Sequence, residues 1–266
     1  MDKVLWKFIF LLSLFLFNLE SSFAQYNILG KPGLVKIPRP TLNEARENIS
    51  FQLAYLPESY SINNFMGKSS NELFYSVKLN VTNWLLINFV LTRPTDIPRI
   101  GIGDRHLDLQ LFLLKQEKHV VNLSVILSPP LAASFIDHNS IFISRVFSIS
   151  ETIKLEPILG YGFTSNFRKP PENFNYENSG YQWIPKSEFG NYYLSGVFGG
   201  LQANYKEKVF LSAEYDSKFI NISSSITLFK RFFINANLMD FNALSGQVGY
   251  KVFLDKSLKS NFKSYD

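Results

Sequence analysis

The sequence predicts an all-β chain, an antiparallel transmembrane β-barrel of about 12 strands within a range of roughly 10 to 14. Three observations lead there. Apolar and polar residues alternate with period two along most of the chain, the signature of strands with two unlike faces. Aromatic residues make up 16% of the chain, with Phe 26 and Tyr 13, enough to furnish a lipid-facing surface and two aromatic girdles. The links between alternating segments are short and long by turns through the first two thirds of the chain, as in barrels with tight periplasmic turns and larger external loops.

The elements follow in order. Lys3 and Lys7 precede an apolar run from Phe8 to Phe17, broken only by Ser13, and Ser22-Phe23-Ala24 then offers small residues to a signal peptidase. Residues 1–24 are therefore expected to be a secretory signal, too short for a comfortable helical span of about 20 residues. Residues 25–46 are expected to be an N-terminal periplasmic or lumen segment, 47–254 the barrel, and 255–266 a polar tail carrying Lys256, Lys259 and Lys263.

Within the barrel, Leu107, Leu109, Leu111 and Leu113 alternate with Asp108, Gln110 and Phe112. Tyr75, Val77, Leu79 and Val81 alternate with Ser76, Lys78, Asn80 and Thr82. Ile220, Ile222, Ile226 and Leu228 alternate with Asn221, Ser223, Ser225 and Thr227, Ser224 alone interrupting the apolar row. Strands are expected near 47–56, 72–82, 85–92, 105–116, 120–128, 140–148, 152–162, 191–204, 208–216, 218–228, 232–239 and 243–254. Most exceed the roughly five or six residues of soluble strands. Their polar positions are often Ser, Asn, Gly or Thr, which suits a crowded lumen better than the open face of a soluble sandwich. Short links fall at Asn83-Trp84, Glu117-Lys118, Ser150-Glu151, Lys206-Glu207 and Lys230-Arg231, and long ones at 57–71, 93–104, 129–139 and 163–190. An even strand count puts both ends of the barrel on the periplasmic side.

The formal charge of +5 is a mild excess without a basic stripe, so no nucleic-acid partner is expected. Cysteine is absent, which excludes disulfides and thiolate metal sites. Charged positions in the strands, Lys78, Asp108, Lys154, Glu156, Glu214 and Lys251, are expected to face the lumen, because charge on the lipid face costs about 2–4 kcal/mol for Lys or Arg at mid-depth. They either line a path for polysaccharide or pair with one another to fill a narrow barrel, and the presence of both signs favours filling. Gly101-Ile102-Gly103-Asp104-Arg105 reads as a turn entering a strand, or as a polar gate in which Asp104 and Arg105 contact sugar. The 163–190 loop holds Phe167, Phe174, Tyr176, Tyr181, Trp183 and Phe189. Of these, Tyr176, Tyr181 and Trp183 are candidate glycan contacts, the alternative being that the aromatics pack over the barrel mouth. The histidines are His106, His119 and His138. No Gly-x-Ser-x-Gly elbow or His-Glu-x-x-His motif accompanies them, so no catalytic residue, metal site or cofactor is expected.

Two stretches carry a family resemblance: Gly33-Leu34-Val35-Lys36-Ile37-Pro38-Arg39-Pro40-Thr41, and Gly101-Ile102-Gly103-Asp104-Arg105 followed by alternating leucines. Both resemble the YjbH family of outer-membrane proteins linked to exopolysaccharide production. In that family the first motif runs directly into Ala-Arg, whereas here Leu42-Asn43-Glu44 separates Pro40-Thr41 from Ala45-Arg46. The chain looks like a short, single-barrel form. Gln247 to Leu254 resembles the assembly signal of outer-membrane barrels, with Val252 and Leu254 placed three and five residues after Gly249. The resemblance implies a non-enzymatic outer-membrane protein that takes part in exopolysaccharide secretion or assembly. Its expected partners are outer-membrane lipids, polysaccharide and periplasmic export proteins. The alternatives are an outer-membrane enzyme acting on lipid or lipopolysaccharide, which needs a histidine beside a serine and a carboxylate, and a structural barrel that docks an envelope partner.

Overall fold

A computed structural model describes residues 25–40, 48–63, 68–97, 101–116, 119–130, 134–169, 180–189 and 193–254. The expected signal sequence over 1–24 and the polar tail over 255–266 lie outside the described residues. The strands are β1 (Ile49–Leu56), β2 (Glu72–Asn80), β3 (Leu85–Pro94), β4 (Arg105–Leu114), β5 (Asn122–Leu127), β6 (Ser140–Ser144), β7 (Phe147–Ser148), β8 (Ile153–Gly162), β9 (Ser165–Arg168), β10 (Gln182–Pro185), β11 (Gly196–Tyr205), β12 (Val209–Tyr215), β13 (Ile220–Leu228), β14 (Phe232–Met239) and β15 (Ala243–Val252).

All but β9 and β10 belong to one antiparallel sheet that closes on itself. Apart from β6, which pairs with β8, each strand of this sheet pairs with its successor in the chain, β8 pairs with β11, and β1 closes the ring on β15 from Ile49↔Val252 to Tyr55↔Gly246. β6 and β7 both pair with β8 and form one interrupted stave, so the barrel has 12 strands around its circumference. Closure removes the unpaired sheet edges that an open sheet would expose.

The sidedness follows from the alternation. In β13, Asn221, Ser223, Ser225 and Thr227 point in and are buried, while Ile220 and Ile222 point out. In β4, His106, Asp108 and Gln110 are buried, and the leucines between them lie on the outside. Phe51, Leu53 and Tyr55 of β1, Leu211 and Tyr215 of β12, and Phe232 and Ile234 of β14 extend the apolar exterior round the barrel. This inverts the plan of a soluble protein and fits a barrel surrounded by hydrocarbon. Among the described residues no helix is long and apolar enough to cross a membrane.

The interior is solid. Residues 25–40 enter the barrel and fold into two successive tight turns. Asn27 N donates to Lys31 O at 2.8 Å, Ile28 N to Val35 O at 2.8 Å, and Leu34 N to Ile37 O at 3.0 Å. Gly30, with φ +82°, makes the first turn, and a Cβ there would stand 2.0 Å from Ser76 Oγ of the wall. Ile28, Leu29, Leu34, Val35 and Ile37 of this plug form a single core with inward Ala54, Phe74, Val90, Ile126, Phe142, Ile158 and Phe198. Gly200 leaves the socket for Leu34, whose Cδ1 lies 2.5 Å from where a Cβ would sit.

The 163–190 loop, read from sequence as a link without strands, contains the β9–β10 hairpin, paired from Gln182↔Arg168 to Pro185↔Ser165. Its inner face, Asn166, Arg168 and Ile184, is buried, with Asn166 Nδ2 donating to Asp137 O at 2.8 Å. It forms a lid over the long-loop end of the lumen.

Candidate functional site: a plugged lumen

The plug is basic and its cations meet acids of the wall, while the inward wall lysines Lys78 and Lys251 stand against its Tyr26 ring. Residues 25–40 contain Lys31, Lys36 and Arg39 and no Asp or Glu. Each cation meets an inward carboxylate from a different part of the barrel. Lys31 Nζ bonds Asp108 of β4. Lys36 Nζ lies 3.0 Å from Asp216 Oδ2, just beyond β12, and 5.3 Å from the Phe219 ring. Arg39 Nη1 lies 3.5 Å from Glu156 Oε2 of β8 and bonds Gln202 of β11. Glu214 of β12 adds a cradle. Its carboxylate accepts the backbone N–H groups of Val35 at 2.9 Å, Lys36 at 2.8 Å and Ile37 at 3.2 Å. Charge-assisted bonds of this kind are about twice as strong as neutral ones. Wall amides hold the remaining plug backbone: Gln52 Nε2 donates to Asn27 O at 2.8 Å, Asn88 Nδ2 to Leu29 O at 2.8 Å, Asn235 Nδ2 to Tyr26 O at 2.9 Å, and Gln110 Nε2 to Arg39 O at 3.0 Å.

Around Asp108 the ties become a network. His106 Nε2 lies 2.7 Å from Asp108 Oδ1, and His106 Nδ1 lies 2.8 Å from Asp137 Oδ1. His138 Nε2 lies 3.1 Å from Lys31 Nζ, while its Nδ1 faces Ile136 O at 3.0 Å. This assigns the tautomer: His138 is neutral, donates from Nδ1 and accepts a hydrogen bond from the Lys31 ammonium at Nε2. Burial first, and then the Lys31 charge, hold His138 well below the usual imidazole range. Ser128 Oγ lies 2.7 Å from Asp108 Oδ1 and takes the His138 backbone N–H at 2.9 Å. Burial raises the carboxyls of Asp104 and Asp137 in the long-loop layer, opposed by hydrogen bonds from Ser134 and His106 respectively. Lys186, buried with Nζ on the carbonyls of Tyr193 at 3.1 Å and Leu194 at 3.0 Å, is pushed down to about 7 by burial, with Asp137 opposing.

The residues proposed from sequence divide as follows. Asp108, Glu156 and Glu214 face the lumen and bind the plug. Lys78 also faces in, its Nζ donating to Tyr26 Oη at 3.1 Å. Asp104 is buried and accepts from Ser134 Oγ at 2.8 Å and Phe135 N at 2.6 Å. Arg105 corrects the gate expectation. It is the first residue of β4, in phase with outward Leu107, and it is exposed, so the Gly101–Arg105 stretch gives the interior Asp104 alone. Lys154 has the inward phase but sits at the short-turn end, paired with Glu207 at 2.6 Å and half exposed, away from the central network. Tyr181 and Trp183 are exposed on the lid together with Phe167. The Phe167 ring centroid lies 5.8 Å from Tyr181 and 5.6 Å from Trp183. Tyr176 lies outside the described residues.

Sequence reading missed Lys31, Lys36, Arg39, Ser128, Asp137, His138 and Asp216. One signal was available: a short stretch with three bases and no acid, followed by strands carrying acids in their inward phase. No protein-family model matches the chain, and no curated protein matches it. Among solved structures it is similar to the crystal structure of an outer membrane channel from Pseudomonas putida F1. The identity is 11%, the TM-score 0.33, and the match covers 77% of this chain and 93% of that one. The barrel described above rests on the strand pairing alone.

Proposed function

We propose that this protein is a non-enzymatic outer-membrane barrel that serves secretion or assembly of an extracellular polysaccharide and is held shut by its own N-terminal segment. The observation that carries this reading is the charge match between the plug's cations and acids of its wall. Lys31, Lys36 and Arg39 are each tied to an acid of the barrel by non-covalent contacts alone.

The apolar exterior supports an outer-membrane site, with lipids as its partner. The short-turn end, at which β1 begins, is the natural meeting place for periplasmic export proteins. With the plug withdrawn, Asn88, Gln110, Gln202, Ser212, Asn235 and Asn237 would line the lumen with amides and hydroxyls, groups that exchange hydrogen bonds with sugar hydroxyls. The exposed Phe167, Tyr181 and Trp183 on the lid offer aromatic faces on which sugar rings stack. The resemblance of Gly33–Thr41, whose residues 33–40 lie in the plug, to the YjbH family points the same way. An enzymatic role on lipid is disfavoured because His106 and His138 are buried on the lumen side of the wall, and His119 lies exposed at a turn.

The test is conductance. Purified wild-type protein in planar bilayers should be nearly silent. A variant lacking residues 25–40, verified as folded by its shift on unboiled gels, should conduct steadily and admit neutral oligosaccharides. A second reading, an adaptor barrel docking an envelope partner, is favoured by the filled lumen. It gains if the truncated barrel stays closed and the cells still export polysaccharide normally.

A further inference from the structure

Two imidazoles in the lumen are mounted as metal-binding histidines are mounted. His106 is anchored through Nδ1 to the Asp137 carboxylate at 2.8 Å, and His138 through Nδ1 to the Ile136 carbonyl at 3.0 Å. A carboxylate or carbonyl behind Nδ1 is the usual support that orients a metal-bound ring. The His106 ring thereby turns Nε2 toward Asp108, while the His138 ring stands with Nδ1 3.9 Å from Asp108 Oδ1 and turns Nε2 toward the Lys31 ammonium that Asp108 also holds. His106 Nε2 lies 2.7 Å from Asp108 Oδ1, yet it is fully buried and has no aligned hydrogen bond. His138 Nε2 faces the Lys31 ammonium. The ligand atoms of His106, Asp108 and His138 lie within 4.8 Å of one another. Two imidazole nitrogens and one carboxylate oxygen make a zinc-type donor set with a position to spare.

That donor set already holds a cation. The ammonium of Lys31 contacts both Asp108 and His138. Protonated, it cannot be a ligand itself, and its position excludes a metal ion from the same space.

We propose that His106, Asp108 and His138 form a transition-metal site that Lys31 fills while the plug is seated, so that a zinc-class ion and the plug lysine are alternative occupants. The consequence is reciprocal. Metal binding favours the unseated plug, and seating the plug expels the metal, each by the same factor in affinity. This rests on the reading of residues 25–40 as a displaceable plug, but not on what passes through the barrel. Hard cations such as Ca2+ and Mg2+ prefer all-oxygen sites and should not substitute.

The experiment is a Zn2+ titration, against a fluorescent zinc indicator, of full-length wild type, Lys31→Met, and Lys31→Met with His138→Ala, in detergent micelles. Each protein is first verified as folded by its gel shift. Lys31→Met should bind one zinc per chain about tenfold or more tighter than wild type, and His138→Ala in that background should remove about tenfold or more of the affinity. Lys31→Gln, which keeps a donor for Asp108, is read by the same criteria if Lys31→Met does not fold. Equal zinc affinity in wild type and the Lys31 variants, or tight binding indifferent to His138, overturns the proposal. A truncated barrel that fails to conduct would remove the export reading and leave the zinc result standing.

Discussion

Asp108 concentrates the chemistry of the lumen in one side chain. It is fully buried and touches Lys31, His106 and Ser128, joining the plug, the wall and the long-loop layer. A buried ion pair contributes little compared with a well-packed apolar pair, but removing one partner leaves a charge without compensation. Asp108→Asn should therefore destabilise the folded barrel by about 3–5 kcal/mol. The loss should appear as a lower urea midpoint on unboiled gels. The double change Lys31→Met with Asp108→Leu should recover most of it. If the single variant keeps the wild-type midpoint, the plug is not held here. Glu214 works differently: it binds the plug's backbone rather than a plug side chain, so it recognises the path of the plug through Val35 to Ile37 whatever those side chains are.

At the scale of elements, the strands were legible because their pattern is local. Alternation in β4, β12, β13 and β15 tells which residues face in without knowledge of any neighbour. The β6–β7 break was less visible. Arg145 lies exposed against the Phe147 ring at 5.1 Å, and the Gln116 side chain brackets Val146, accepting its N–H at 2.7 Å and donating to its carbonyl at 2.8 Å. The amide of Gln116 thus stands in for a strand across the gap. The plug was legible only as one of two places, periplasm or lumen, for residues 25–46; its docking was not, since that comes from Asp108, Glu156, Glu214 and Asp216, dispersed over about a hundred residues. The turns also defy the usual signals. Lys206-Glu207, Phe229-Lys230 and Asp240-Phe241 all have positive φ, as type I′ hairpins require, and none contains glycine. Replacing Asp240-Phe241 by Asn-Gly should relieve the backbone and stabilise the β14–β15 hairpin by about 1 kcal/mol. A raised urea midpoint would register it. An unchanged or lowered midpoint means that the exposed Phe241 contributes more than the strain costs.

Over the whole molecule, polarity runs in three shells: an apolar exterior, a polar wall, and a plug whose apolar side chains join inward aromatics at the centre. The outer shell makes its own prediction. Ile222→Arg places a charge on the exterior and should cost about 2–4 kcal/mol in bilayers if that face is near mid-depth. Ser224→Arg, two residues along the same face, should behave alike, whereas Ile220→Arg, toward the end of β13, should cost less. Folding in liposomes at graded urea would rank them, and equal costs at all three positions would show that this face does not meet hydrocarbon.

The seam between β1 and β15 brings residues 49–55 against 246–252, so the ring is complete only when its last strand has arrived. The plug precedes β1 in the chain, yet it ends innermost, with Leu34 lodged against Gly200 and Lys31 against Asp108. It must either wait within the half-made sheet or thread in through the short-turn end after closure. In the first case residues 25–40 act as the mould around which successive hairpins are laid, and a chain without them would assemble more slowly even if its finished barrel were sound.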